Sequence, residues 1–288
     1  MPSPRSGATL EPMLSVALAA SGFGGISVLA KLAYEAGSEP MSLLSTRLVV
    51  ASVLLAPALL ATARPHLRPE VLGRAGAGGA AFAGAGFLEF EGLARLPAPT
   101  LVVLLFLAPV WVAIGSRIVL GRRLGWRSGV MLALVLVGVA LLAGLPDEGG
   151  LDPLGVAMGV GASQLYAAVF VLLERLVRGT GPIAAIGLVA AAAALVAVAV
   201  EPSGVATELA GPPTAWYAVA VGALTAGTLV LLAGGMRTAS AFTASLVTAV
   251  EPLTAAVLSW ALLGEVLTVA QMAGGAAVVC GVLGVSRA

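Results

Sequence analysis

Residues 239–265 read ASAFTASLVTAVEPLTAAVLSWALLGE, and residues 96–122, 143 positions earlier, read LPAPTLVVLLFLAPVWVAIGSRIVLGR. The two align without a gap, with Ala98 on Ala241, Thr100 on Thr243, Pro109 on Pro252 and Leu120-Gly121 on Leu263-Gly264. The correspondence runs from Gly92–Leu142 onto Gly235–Val285, taking in Leu124/Leu267 and Gly138-Val139/Gly281-Val282. An internal repeat in so apolar a chain points to a membrane protein built from two related halves.

Composition agrees. Hydrophobic residues make up 59% of the 288 and charged residues 10%, with a mean hydropathy of +1.06. A soluble domain carries about 25% charge, so no aqueous surface can be assembled from this chain. Apolar runs fall at about 13–34, 40–63, 75–95, 99–120, 127–145, 153–173, 182–200, 214–235, 239–263 and 266–285. Each is about 19–25 residues, enough to cross a hydrocarbon core of about 30 Å at about 1.5 Å per residue. The expected fold is therefore all-α and integral to the membrane, with ten transmembrane helices in two five-helix repeats, 13–145 and 153–286. Glu89 and Glu91 interrupt the third run and make it the weakest of the ten. The first run follows Arg5, and Ala19-Ala20-Ser21 imitates a cleavage site. Its retention is expected, since removal would leave nine spans.

Ten spans place alternate connections on opposite faces. Arg5, Arg64, Arg68, Arg74, Arg117, Arg122, Arg123, Arg127, Arg175, Arg178, Arg237 and Arg287 fall on one face, against Lys31, Arg47 and Arg95 on the other. The positive-inside rule then puts both termini in the cytoplasm. Five spans per half is an odd number, so the second repeat is expected upside down relative to the first. The corner Leu120-Gly121-Arg122-Arg123 faces inward, and its copy Leu263-Gly264-Glu265-Val266 faces outward with a glutamate in place of arginine.

The run Ala239–Val250 into Glu251-Pro252, then Leu263-Gly264-Glu265, Gln271 and Gly274-Gly275…Gly281, resembles the drug/metabolite transporter superfamily, specifically ten-helix proteins with two EamA-type repeats. The resemblance covers about 13–286, and length and layout are most like the bacterial aromatic amino acid exporters. It implies ten helices around a central cavity and alternating access. It also implies a small-molecule substrate, a multi-pass location in the bacterial inner membrane and export of amino acids of broad specificity. Export of drugs or of nucleoside- or sugar-type metabolites stays open as the alternative. The first repeat departs from the family pattern at Ala108-Pro109 and Arg122, so the halves are functionally unequal.

Glu251 lies twelve residues from each end of 239–263, near the bilayer midplane. A carboxylate there costs several kcal/mol unless paired, wetted or protonated. Pro252 removes a helical hydrogen bond and clashes with the preceding turn, which makes it, with Pro109, a candidate kink. Glu251 suits a substrate ammonium or a proton; a structural carboxyl pinning the kink is the competing reading. Thr248, one turn earlier, shares its face. Glu89 shares a face with Phe82 and is a further candidate, while Glu91 reaches toward the outer interface. Arg47 needs a carboxylate, and an ion pair with Glu89 or Glu91 is expected; facing a cavity, such a pair would hold both ends of an amino acid. Ser21, Gln164, Thr225 and Thr228 are candidate uncharged contacts for a zwitterion, though such groups also join helices in membranes. Trp111 is a candidate for stacking a ring-bearing substrate. Gly76, Ala80 and Gly84, at four-residue spacing, are expected to seat a neighbouring helix.

Other chemistry is excluded. Lys31 is the only lysine, and no glycine loop precedes a Gly-Lys-Ser/Thr, so there is no Walker A site. His66 and Cys280 are each single, which removes a metal site and a Ser-His-Asp hydrolase. No cofactor, catalytic residue or enzyme activity is expected, and a net charge of +1 offers nucleic acid nothing. The lipid bilayer is the expected environment and a monomer the working expectation. Because the first repeat lacks a match for Glu251, transport is read as facilitated rather than proton-driven.

Overall fold

The computed structural model describes residues 10–62, 67–121, 125–144, 151–263 and 266–285. Arg5, Arg64, His66, Arg122, Arg123, Leu124, Asp147, Glu148, Gly264, Glu265 and Arg287 lie outside them. All regular elements among the described residues are helices: α1 (Leu10–Glu35), α2 (Pro40–Thr62), α3 (Pro69–Leu93), α4 (Ala98–Leu105), α5 (Ala108–Leu120), α6 (Trp126–Ala143), α7 (Pro153–Thr180), α8 (Pro182–Val200), α9 (Gly204–Ala210), α10 (Pro212–Gly235), α11 (Ala241–Val247), α12 (Val250–Leu263) and α13 (Val269–Val285). Eight stretches are long and apolar enough to cross a membrane, and Val269–Val285 is a shorter apolar helix. Helix α3 has 25 residues, about 37 Å at 1.5 Å per residue, but carries Glu70, Arg74, Glu89 and Glu91.

Helix boundaries repeat along with the sequence. Moved by 143 positions, α1 (10–35) falls on 153–178 and α7 occupies 153–180; α3 (69–93) falls on 212–236 and α10 occupies 212–235. The packing repeats too. Helix α1 packs on α10 as α3 does on α7, α1 on α12 as α5 on α7, and α2 on α10 as α3 on α8; α2 meets its own counterpart α8, and α6 meets α13. These contacts survive exchange of the halves, whereas those of α5 with α11, α7 with α11 and α7 with α8 have no counterpart of similar extent.

Several elements differ from the sequence expectation. The fourth and ninth runs are each two helices, broken after Leu105 and after Val247. Span six does not stop at residue 173: α7 continues to Thr180. Glu174 and Arg178 sit on that extra turn as an i,i+4 pair at 2.8 Å, so the polar residues that end the apolar run do not end the helix. The short α9 was not foreseen; it docks through Glu208, 3% exposed, whose carboxylate accepts the Ser38 hydroxyl.

Of the small-residue stripe expected on α3, Gly84 meets a neighbouring helix, where a methyl would sit 3.2 Å from Leu165 Cδ1, and the other two members do not. Gly76 has open space around it and Ala80 is exposed. Gly79 makes the close approach instead, where a methyl would sit 2.5 Å from Ala192 Cβ and 2.6 Å from Ala193 N. Glycine costs a helix about 1 kcal/mol relative to alanine; the close packing of backbones that it permits offsets this. Gly138 on α6 and Gly274 on α13 do the same, each lacking room for a methyl against the other's carbonyl.

Candidate substrate cavity

Both helix breaks have the same cause. Pro109 stands in the first turn of α5 and Pro252 in the first turn of α12. Neither has an N–H to give to Leu105 or Thr248, and each ring crowds that carbonyl. Hydrogen bonding therefore tightens to three-residue spacing: Leu107 N–H donates to Leu104 O (3.1 Å), and Glu251 N–H donates to Thr248 O (2.9 Å). The prolines start a second half-helix rather than kinking a continuous one.

The two breaks face one cavity of about 150 Å³. Leu105, Phe106, Ala108 and Pro109 line it from the first break, Thr248 and Glu251 from the second. Other walls come from Phe23, Ile26 and Ser27 on α1, Arg47 on α2, Phe82 and Glu89 on α3, and Tyr166, Val169 and Phe170 on α7. Helices α8 and α10 add aliphatic side chains, among them Leu229 and Leu232.

Few polar groups face this space, and most are already engaged. Tyr166 Oη donates to Glu89 Oε2 at 2.6 Å, and its ring meets Phe82 edge-on with centroids 6.4 Å apart. Thr248 Oγ1 donates to Ser245 O at 2.8 Å, and Ser27 Oγ to Phe23 O at 3.4 Å. The expected ion pair of Arg47 with Glu89 or Glu91 is not formed among the described residues. Glu89 has the tyrosine hydroxyl, Glu91 is exposed, and Arg47 Nε is buried without a partner. Nor does any described residue hydrogen-bond the Glu251 side chain. Arg47 remains within electrostatic reach of both Glu89 and Glu251.

Of the residues singled out in the sequence, Phe82, Glu89, Thr248, Glu251 and Pro109 come together here. The others are placed elsewhere. Gln164 is turned outward and exposed. Trp111 Nε1 donates to Ser163 Oγ at 3.1 Å, joining α5 to α7. Ser21 Oγ accepts from Thr254 Oγ1 at 3.2 Å, joining α1 to α12. Thr225 and Thr228 are buried and return their hydroxyls to Val221 O and Thr225 O on their own helix. Pro252 acts through the backbone behind the lining. Arg47, expected as half of an ion pair, and Tyr166, a polar group within the sixth apolar run, also line the cavity. Glu174 was missed altogether. Though 1% exposed, it accepts the Ala241 N–H at 2.7 Å and so caps α11, a role set by contact across 67 residues.

Paired through the repeat, part of the lining recurs in place but not in chemistry. The 143-residue shift matches Phe23 with Tyr166, Leu105 with Thr248, Ala108 with Glu251 and Glu89 with Leu232, all eight lining the cavity. In each pair one member is polar and the other is not.

Comparison with other proteins agrees with this architecture. The profile of the EamA-like transporter family matches residues 11–144 and again 153–287. An uncharacterized transporter of Archaeoglobus fulgidus is 30% identical over 184 residues, 63% of this chain. The chain spans 64% of that relative's length, just under two thirds. A solved crystal structure superposes with a TM-score of 0.78 over 99% of this chain and 98% of that one, at 17% identity, a likeness of fold. With the family profile matched once in each half, this multi-pass membrane protein belongs to the EamA-like transporter family.

Proposed function

We propose that the protein is a secondary carrier that exports amino acids, aromatic and others, from the bacterial cytoplasm across the inner membrane by alternating access. The observation that carries this reading is the pair Arg47 and Glu251. They are one guanidinium and one carboxyl group, neither hydrogen-bonded to a side chain among the described residues, at an otherwise largely apolar cavity. An amino acid presents the complementary carboxylate, ammonium and apolar side chain. Each charge-assisted hydrogen bond so formed contributes about 1.5–3 kcal/mol, whereas a solute without a carboxylate leaves Arg47 Nε buried and without an acceptor.

In this reading ten spans form two inverted halves, 13–145 and 153–286, with both chain ends in the cytoplasm. Contacts between helix ends support the arrangement. Arg175 on α7 donates to Val119 O at the end of α5, and Ser15 on α1 donates to Leu231 O on α10; both pairs join ends assigned to the cytoplasmic face. Arg95 and Asp152, 3.6 Å apart, join ends assigned to the outside. Since Ala108 takes the place of Glu251 in the first half, export runs down the solute's own gradient.

Cavity size favours an amino acid over a nucleoside or a large drug. A volume of about 150 Å³ is what a benzene-sized ligand occupies in a protein interior. The test is efflux of labelled amino acids from proteoliposomes carrying the purified protein. Saturable efflux, competed by free amino acids, is expected. Competition by nucleosides or drugs and by no amino acid would put the alternative substrate class ahead, and unsaturable flux would indicate a channel.

A further inference from the structure

The repeat relates more than helices. Arg47, Glu89, Tyr166 and Glu251 lie close enough to act on one another electrostatically, so they form one polar cluster at the cavity. The counterparts of Glu89, Tyr166 and Glu251 in the repeat are Leu232, Phe23 and Ala108, and all three line the same cavity. Leu105, the counterpart of Thr248, joins them. The cavity thus has a polar pole and, at the repeat-related positions, an apolar pole; Ser27, one turn from Phe23, is polar where its lining counterpart Phe170 is not.

We infer that this apolar pole, formed by Phe23, Leu105, Ala108 and Leu232, is the subsite for the solute's side chain, and that Ala108 sets the size of side chain it accepts. The inference rests on the amino-acid reading above and goes on to fix the orientation of the bound solute. With ammonium and carboxylate held by Glu251 and Arg47, the substituent on the α-carbon is turned away from the polar cluster, toward Phe23, Leu105, Ala108 and Leu232 within a lining that is apolar over most of its walls. Ala108 is the smallest side chain on that surface. It stands at the start of α5, where the break after Leu105 brings the first turn of a half-helix to the cavity. A larger residue at 108 fills the space that the largest solutes use and leaves the charged groups untouched. One methylene in an apolar pocket changes selectivity by about 10–200-fold, so the effect of three added carbons is readable.

Ala108→Leu is tested in proteoliposomes by competitive efflux of alanine, norvaline, leucine and phenylalanine from the same vesicles. The phenylalanine-to-alanine ratio of kcat/KM does not depend on how much protein is active. It is expected to fall by at least about 10-fold in Ala108→Leu. In Leu105→Ala, which enlarges the pole and needs no added volume to fit, it is expected to rise. Amino acids transported at unchanged ratios in the variants that fold would overturn the subsite and leave the carrier assignment standing. Wild-type vesicles that move no amino acid would overturn both.

Discussion

The α4–α5 and α11–α12 pairs are two copies of one device that have parted in chemistry. Each is a helix broken ahead of a proline in the first turn of its second segment, and each turns the break toward the same cavity. One presents Leu105 and Ala108; the other presents Thr248 and Glu251. The shared backbone shows that the break needs only proline's missing donor and its clash with the carbonyl four residues earlier. What the break offers to a solute is decided by single side chains. Duplication therefore supplies a symmetric frame, and substitution within it supplies a direction.

The largest effect is expected from placing charge at the apolar copy. Ala108→Glu puts a carboxylate beside Leu105 and Phe23, in the apolar part of the lining. Burial of an unpaired charge costs about 3–5 kcal/mol, to be read as a fall in unfolding temperature in detergent. Removing charge from the polar copy acts on transport rather than folding. Glu251→Gln keeps shape and loses the counter-charge, so kcat/KM for efflux should fall by about 10–150-fold, from the 1.5–3 kcal/mol of a charge-assisted hydrogen bond. Equal effects of the two substitutions on transport and on stability would mean that the halves are not chemically distinct.

A smaller effect tests the backbone they share. Pro109→Ala and Pro252→Ala each return an N–H to the helix and relieve the clash. Both should slow transport by re-forming a continuous helix, Pro252→Ala the more because Thr248 and Glu251 flank that break. Efflux rates of the paired variants measure this, and identical slowing would place the breaks outside substrate binding.

The smallest effect concerns Glu208, a carboxylate that the first half leaves without a described counterpart. Burial pushes this carboxyl above the usual carboxylate range; the Ser38 hydroxyl donating to it offsets part of the rise, and Glu39 adds to it. The folded state then holds this proton more tightly than the unfolded chain. Its contribution makes stability fall as pH rises from the unfolded value, about 4.3, through the raised folded value, and it is flat above. Glu208→Gln should lose that dependence. Unfolding curves of both proteins from pH 4 to 8 that run parallel would show that the carboxyl carries no linked proton.

Legibility differed between fold and site for physical reasons. The apolar runs and the repeat were readable because spanning a bilayer is a matter of length and transfer energy summed along a segment. Where a helix ends was less so: α7 runs on past the last apolar residue because Glu174 and Arg178 pair with each other one turn apart. Glu251 and Glu89 stood out because carboxylates in apolar runs are costly and hence few. Gln164, Trp111, Thr225 and Thr228 could not be assigned from the same signal. A polar side chain in a membrane helix can meet a solute, a neighbouring helix or its own backbone, and rotation of the helix chooses among them.

The sequence by itself determined an all-helical membrane chain, its internal duplication and the prolines that break two of its helices, since each follows from local composition or from the covalent structure of one residue. Only the tertiary structure decided that Glu89 would take the Tyr166 hydroxyl, that Arg47 and Glu251 would go without a hydrogen-bonded side-chain partner among the described residues, and that Glu89, Tyr166, Thr248 and Glu251 would line one cavity. Those outcomes depend on which helix faces meet, and a helix of low amphipathicity does not encode its own rotation.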